Sequence, residues 1–565
     1  MREIFNKKKQ KKVFWSVLTL FLLSSFNSQA QINCDYEINT TTSSITNIEF
    51  QAGDTLCLMA GTRGPLYLKN IIGTAEKPIV IINKGGQSII DSDLTYGLKF
   101  AESKNIVISG AGDQNIKYGI LIREVSNGSG LNIGSLSTDF EVENIEISNA
   151  KIVGIIAKTD PNCVYDADRP NFTMYNIKIH DNYIHDIGNE GMYIGSSFYL
   201  GQYISSCDKT FLPHIINGVE IYNNRVEYTG WDGIQVGSAL YGCTIHDNQI
   251  YKDSQAEATY QMSGIIINTG SSCNVYNNTI INGKGTGILN QGTGGQYFYN
   301  NLIINAGRDY DFEDQTLKQQ FGIFSKYTYI QPPDSSFHFY NNTIINPKSD
   351  GIRFMNSHSE NNRFINNIII NPGAYEFYKN LGSVNFEAQD AYIHNYLDSS
   401  DDIFLSNNIL ERSSKEQLFV DTLNYNYRLT SGSPAVNTGY NLSDKGITFD
   451  IENFTRPFDN YFDIGAYELQ IITSTNTLAT YNQSLKISPN PASDYLTLSF
   501  KLNKTQTLSL KLVNMEGKTF NLFSDETFTK GENTKYVSIN HLPKTKYIIV
   551  LYNKTNRMIQ NFQKF

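Results

Sequence analysis

Two acidic residues, Glu190 and Asp232, each stand immediately before a glycine in segments reading NEGMYIG and WDGIQVG. If the two segments are equivalent turns of one repeat, their carboxyls stack. A close carboxyl pair suits glycosidic cleavage: one group must stay protonated as acid while the other acts as base or nucleophile, and like charges push the two pKa values apart. Trp231 adjoins Asp232 and would raise one carboxyl further by desolvation. His185 and Glu227 share one position of the same two segments and are candidates for orienting or substitute groups. Tyr193 and Gln235, two residues past each glycine, are candidates for substrate contact. The competing explanation is a polar turn before glycine, as at Asp350 before Gly351.

A repeat must position these residues. Aligning on Asn182, Asn224, Asn248, Asn278, Asn301, Asn342, Asn367 and Asn408, with Asn149 as an earlier member, gives coils as short as 23 residues, Asn278 to Asn301. A marker glycine recurs at 191, 233, 264, 287, 322 and 351, nine residues after the Asn in four coils. Short β-prone runs separated by polar turns at this period predict a parallel β-solenoid. Two positions past the Asn, Ile184, Val226, Ile250, Ile280, Ile303, Ile344 and Ile369 form one expected core column. Three positions before it, Ile179, Ile221, Ile245, Val275, Phe298, Phe339 and Phe364 form another, and alternation sends the residues between outward. The Asn column itself is expected to be a stacked amide ladder holding a tight turn, because Asn tolerates left-handed geometry. Outward from it, His180, Tyr222, His246, Tyr276, Tyr299 and Tyr340 make either a platform for sugar rings or a self-stacking ladder.

Composition agrees with strands and turns. The chain has 565 residues, 40% hydrophobic, 12% aromatic and 18% charged, which predicts two or three domains and excludes coiled coils and helical bundles. Arg2 to Lys12 is basic, Val13 to Phe26 apolar, and Ser28-Gln29-Ala30 a small-residue cleavage site, so residues 1–30 are expected to be a secretory signal rather than a membrane anchor. Beyond residue 30 there are 40 basic and 54 acidic residues, a net −14 that disfavours nucleic acid. All six Cys lie in that part, without zinc spacing. Cys163 and Cys207 fall in two successive long loops and are expected to bridge. Cys243 and Cys273 share a column, where they either bond or stack.

The coils, the entry GDTLCLMAGTRGPLYLKN and the exit YRLTSGSPAVNTGYN…DIGAYEL together resemble right-handed parallel β-helices of the pectate-lyase-like superfamily. The resemblance implies an all-β β-helix over residues 31–470. It is specific for fold and weak for activity, since the fold hosts lyases, hydrolases, epimerases and adhesins. After a polar linker at 471–483, residues 484–565 open with SPNPASD and resemble the C-terminal sorting domain of type IX secretion in Bacteroidetes, a small β-sandwich. That resemblance implies the type IX machinery as partner and a secreted or outer-surface location.

Insertions at 159–175, 196–217, 253–262 and 306–320 exceed what a coil needs and are expected to wall a groove. RDYDFED offers calcium ligands at Asp309, Asp311 and Glu313, or is an exposed acidic loop; no cofactor is otherwise called for. Residues 141–300 hold 16 Asp and Glu against 8 Lys and Arg, a poor surface for a polyuronate. The expected function is therefore a monomeric glycoside hydrolase acting on a polysaccharide. A β-eliminating lyase, for which Lys158, Arg169, Lys178 and Arg225 would supply a basic cluster, is the first alternative. A non-catalytic glycan-binding solenoid is the second; clustering of the polar departures in a few coils favours an enzyme.

Overall fold

The computed structural model describes residues 32–311, 319–326, 332, 335–356, 359–374, 391–395, 402–413, 418–458, 460–470, 485–490, 492–514, 519–540, 542–553 and 557–564. The expected signal peptide and linker lie outside them. The chain divides into two compact units, one ending at Leu469 and the other beginning at Gln470.

One coil shows how residue order makes the first unit. Along Thr173–His180, Ile177 and Ile179 are buried while Lys178 alternates away from the core. Asp181 then takes φ 56° and turns the chain, Ile184 returns to the core, and Asp186 (φ 55°) turns it again. Met192 and Ile194 close the coil from a third strand. Repetition stacks the strands in parallel. Among the described residues, two faces join at the Asn corner into a sheet of 23 strands, and the third face is a sheet of 12. Both expected core columns are in register and buried. The fold is a parallel β-helix.

The amide ladder runs from Asn182 to Asn408, each Nδ2 donating to the next Oδ1 at 2.9–3.1 Å. Two expectations are corrected. The left-handed residue is the one before the ladder Asn (Asp181, Asn223, Asp247, Asn277, Asn300, Asn341, Asn366, Asn407), so the ladder Asn is selected for its buried amide and not for φ. Asn149 is not a ladder member. Glu146 pairs with Tyr183, which puts Ile145 at the ladder position and Asn149 (φ 50°) at the second corner beside Asp186.

The marker glycines answer to close approach. A Cβ on Gly191 would lie 2.6 Å from both the Gly233 carbonyl oxygen and Val226 Cγ1, and Gly233 meets Gly264 and Ile250 in the same way.

Residues 418–469 lie along the outside of the later coils. Ile281, Leu302, Ile304, Ile345, Ile368 and Ile370 pack against Leu418, Phe419, Tyr427, Leu429, Ala435 and Ile464. Arg456, wholly buried, pairs with Glu468 at 2.9 Å and donates to Asn300 Oδ1 at 2.7 Å. The left-handed asparagines therefore serve twice, turning the coil and holding this cover: Asn341 donates to Asp463 O, and Asn366 exchanges bonds with Tyr440.

The disulfides are Cys34–Cys57, Cys163–Cys207 and Cys243–Cys273. The second unit is a small antiparallel β-sandwich of a three-stranded and a four-stranded sheet around Leu496, Leu498, Leu510, Leu512, Ile549 and Leu551. Among the described residues no helix is long and apolar enough to cross a membrane.

Asn278 donates to Ile245 O, Tyr276 O and Asn301 Oδ1, and its Oδ1 accepts from Asn248. Asn278→Ala strands several buried groups and is expected to cost about 2–4 kcal/mol in denaturant unfolding. Thiol titration of the unfolded mature chain should find none before reduction and all six Cys after it.

Candidate active site

Backbone bonds place the carboxyls. Gly191 N donates to Asp232 O at 3.0 Å and Gly233 N to Ser263 O at 2.9 Å, so Glu190, Asp232 and Ser263 occupy one column on three successive coils. The insertion at 253–262 is laid onto that corner: Ser254 N donates to Trp231 O and Ala256 N to Gly230 O. Asp253, at its start, adds a further buried carboxyl.

Glu190 is 2% exposed and Asp232 0%. Burial pushes the Glu190 carboxyl up to about 7, against its own backbone amide and Lys158. Asp253 is pushed up to about 6, again by burial. Asp232 goes well above the usual carboxylate range, because it is buried and because Glu190 and Asp253 repel its charge. Its carboxyl has no ion-pair partner among the described residues, and Ser263, through its hydroxyl and backbone N–H, only partly offsets the shift. Asp350, at the same place in a later coil, is instead ion-paired, accepting from Arg353 Nε at 2.5 Å. The two turns are alike in sequence and unlike in chemistry.

Tyr193 and Gln235 pair across the third sheet, between Ile156 and Ile266. Lys158 Nζ sits 4.5 Å over the Tyr193 ring and 2.9 Å from Asp160. Burial alone would lower the Lys158 ammonium, but Tyr193, Asp160 and Glu190 hold it above its ordinary range. Lys158 also lines an open cavity of about 360 Å³ with Lys99, Glu102, Asn132, Asp160, Asn162 and Asp166. Gln235 is buried, and its Oε1 has no hydrogen-bond partner among the described residues. Trp231 is half-buried at the corner.

The other candidates lie elsewhere. His185 and Glu227 face outward on the second face. Glu227 accepts from Tyr183 Oη at 2.8 Å and Arg225 Nε at 2.7 Å. Burial opposes a charge on His185, yet Glu146 and Asp186 hold its imidazolium above the usual range. The polar character of this column in early coils has a packing cause: later coils carry isoleucine there because residues 418–469 cover them. His180 and Tyr222 belong to a self-stacked column, with His180, Tyr222, His246, Tyr276 and Tyr299 at centroid spacings of 4.6–5.1 Å and nearly parallel. Their ring faces meet one another and leave edges outside.

The four basic residues do not gather. Lys178 pairs with Glu141, Arg225 with Glu227, and Arg169 binds the carbonyls of Tyr199 and Pro213, while Lys158, paired with Asp160, is the one whose charge acts on Glu190. Asp253, Lys99 and Asn132 carry no column signal in the sequence. Asp253 lies in an insertion and breaks the column spacing, while Lys99 and Asn132 lie upstream of the aligned coils. Among the described residues no group of three His, Cys, Asp or Glu side chains could hold a metal ion. Of the calcium loop, Glu313 lies outside the described residues, and the Tyr310 and Asp311 carbonyls accept from Lys348 Nζ.

Each buried carboxyl binds its proton more tightly folded than unfolded, where its pKa is about 4. The native state therefore holds the extra protons between about pH 4 and the folded values near 6 and 7 and above, and stability falls as pH rises through that window. Asp232→Asn should raise the melting temperature more at pH 8 than at pH 4; the opposite order in thermal scans would refute the assignment.

Residues 214–410 match the right handed beta helix region family, and residues 486–564 match the secretion system C-terminal sorting domain family. No curated protein sequence matches the chain. Among solved structures it is similar to a lacto-N-biosidase of glycoside hydrolase family 136 from Eubacterium ramulus, with 11% identity, TM-score 0.42, and 65% of this chain and 63% of that one covered. It thus spans less than two thirds of that enzyme's length. An alginate lyase from a Paenibacillus species is similar at 14% identity and TM-score 0.34, covering 57% of this chain and 99% of that one. The protein carries a right-handed parallel β-helix and a type IX secretion sorting domain, and the sorting domain marks it as secreted or held at the outer cell surface.

Proposed function

We propose that the protein is a carbohydrate-active enzyme that cleaves glycosidic bonds of a polysaccharide by hydrolysis, with residues 31–470 carrying the chemistry and 484–565 the address. The observation that carries this reading is the buried carboxyl column of Glu190 and Asp232, with the Lys158 charge close enough to act on Glu190. An unpaired buried carboxyl costs several kcal/mol, and such costs concentrate at functional sites. Environments that push two carboxyls apart assign their roles: Asp232, which keeps its proton, is the acid, and Glu190, which ionises near neutrality, is the base or nucleophile. Lys158 and Tyr193 hold the sugar beside Glu190. The insertion at 253–262 shields Asp232 from solvent, so substrate reaches the acid only when that insertion moves aside.

One observation favours a lyase instead. Lys158 over the Tyr193 ring combines a cation with a phenol, the pair that β-elimination from a uronate needs for charge neutralisation and proton removal.

Incubating the mature protein with plant and algal polysaccharides and weighing the products separates the two. Fragments that gain water establish hydrolysis, whereas unsaturated uronate ends establish elimination. For a hydrolase, kcat/KM should rise along a limb near pH 7, the value for Glu190. Glu190→Gln should lower kcat by roughly 10²–10⁴-fold; full activity in that variant would remove Glu190 from the mechanism.

A further inference from the structure

The insertions at 159–175 and 196–217 are fastened to each other at several points. Cys163–Cys207 joins them, Arg169 N donates to Leu212 O, and the Arg169 guanidinium stacks 4.0 Å over Tyr199. A hairpin of Gln202–Ile204 against Lys209–Phe211 projects from the second, and Lys209 Nζ reaches back to Tyr165 Oη at 3.2 Å. A surface fixed at this many points has little left to order on binding.

What it displays is unusual for a soluble surface. Val164 is 76% exposed, Tyr203 60%, Leu200 57% and Phe198 51%. Large apolar side chains gathered like this mark an interaction site. Tyr203 is largely exposed, its hydroxyl donates to Asp208 at 2.6 Å, and among the described residues no aromatic ring or cation stacks on it. This differs from the His180–Tyr222 column, whose faces are used up. Asp166, Asp208 and Lys209 are interspersed among the aromatics, whereas the core of a protein–protein interface is depleted of charge. Asp160, Asn162 and Asp166 of the first insertion also line the Lys158 cavity.

We propose that this disulfide-pinned double loop is a glycan-binding platform, on which Tyr203 and Phe198 stack against pyranose faces of a neutral polysaccharide. This rests on the polysaccharide reading above. Neutral sugars fit because the two insertions carry Asp160, Asp166, Asp168 and Asp208 against only Arg169 and Lys209. Apolar C–H faces laid on fixed rings need no charge.

The test is affinity electrophoresis of the mature protein in gels containing laminarin, xylan, mannan or, as the anionic comparison, alginate. We expect retardation in at least one neutral gel. Tyr203→Ala/Phe198→Ala should weaken it roughly tenfold in dissociation constant, while Tyr203→Trp, which keeps a flat ring, retains it. Both side chains are exposed, so melting temperatures should stay close to the parent's and confirm folding. No retardation in any neutral gel, or equal retardation of parent and double variant, would overturn the platform. So would self-association that the double variant abolishes without any glycan effect. Product analysis on the same samples judges the catalytic reading separately: retardation without cleavage leaves the platform standing and removes the enzyme, and cleavage without a double-variant effect does the reverse.

Discussion

Register is the constraint on which the rest of this molecule depends. A ladder Asn finds its partners only if the next coil presents another amide one strand step away, with Nδ2 to Oδ1 at about 3 Å throughout. A slip by one residue would turn every core isoleucine to solvent and leave the buried amides without partners. Each coil thereby fixes the next, and any residue type repeated at one position becomes a physical column. The columns of isoleucine, phenylalanine, asparagine, glycine and stacked aromatics all follow from that step.

The same step makes the carboxyl column costly. Glu190 and Asp232 are neighbours because Gly191 bonds to the Asp232 carbonyl, and Asp253 joins them when the insertion folds over the corner. Like charges at strand spacing without solvent cannot all ionise, so at least one stays protonated at neutral pH. The wider scaffold offsets this cost through its buried core and amide ladder, and through the disulfide that joins two of the insertions.

Cover decides which surfaces remain available. Residues 418–469 take the outward isoleucines of the later coils and are locked on by Arg456, Glu468 and the left-handed asparagines. The early coils carry polar residues at that column because nothing apolar packs there. A contrast that looks functional along the sequence is thus partly the imprint of an intramolecular interface, while the third face, lined by Lys99, Asn132 and Lys158, stays open at one end.

The sequence by itself determined the fold, the coil boundaries and the residue columns, because a solenoid's long-range contacts are periodic and spacing states them directly. It also placed Glu190 beside Asp232 and Tyr193 beside Gln235, since each pair shares a column. Tertiary structure alone decided that His185 and Glu227 lie on another face, that the charge of Lys158, and not of Arg169, Lys178 or Arg225, acts on Glu190, and that Asp350 is ion-paired where Asp232 is not. These depend on side-chain direction at the corners and on insertions that break the period. Asp253 and the cover at 418–469 reach their partners through loops of no fixed length, and spacing carries no information where the repeat is interrupted.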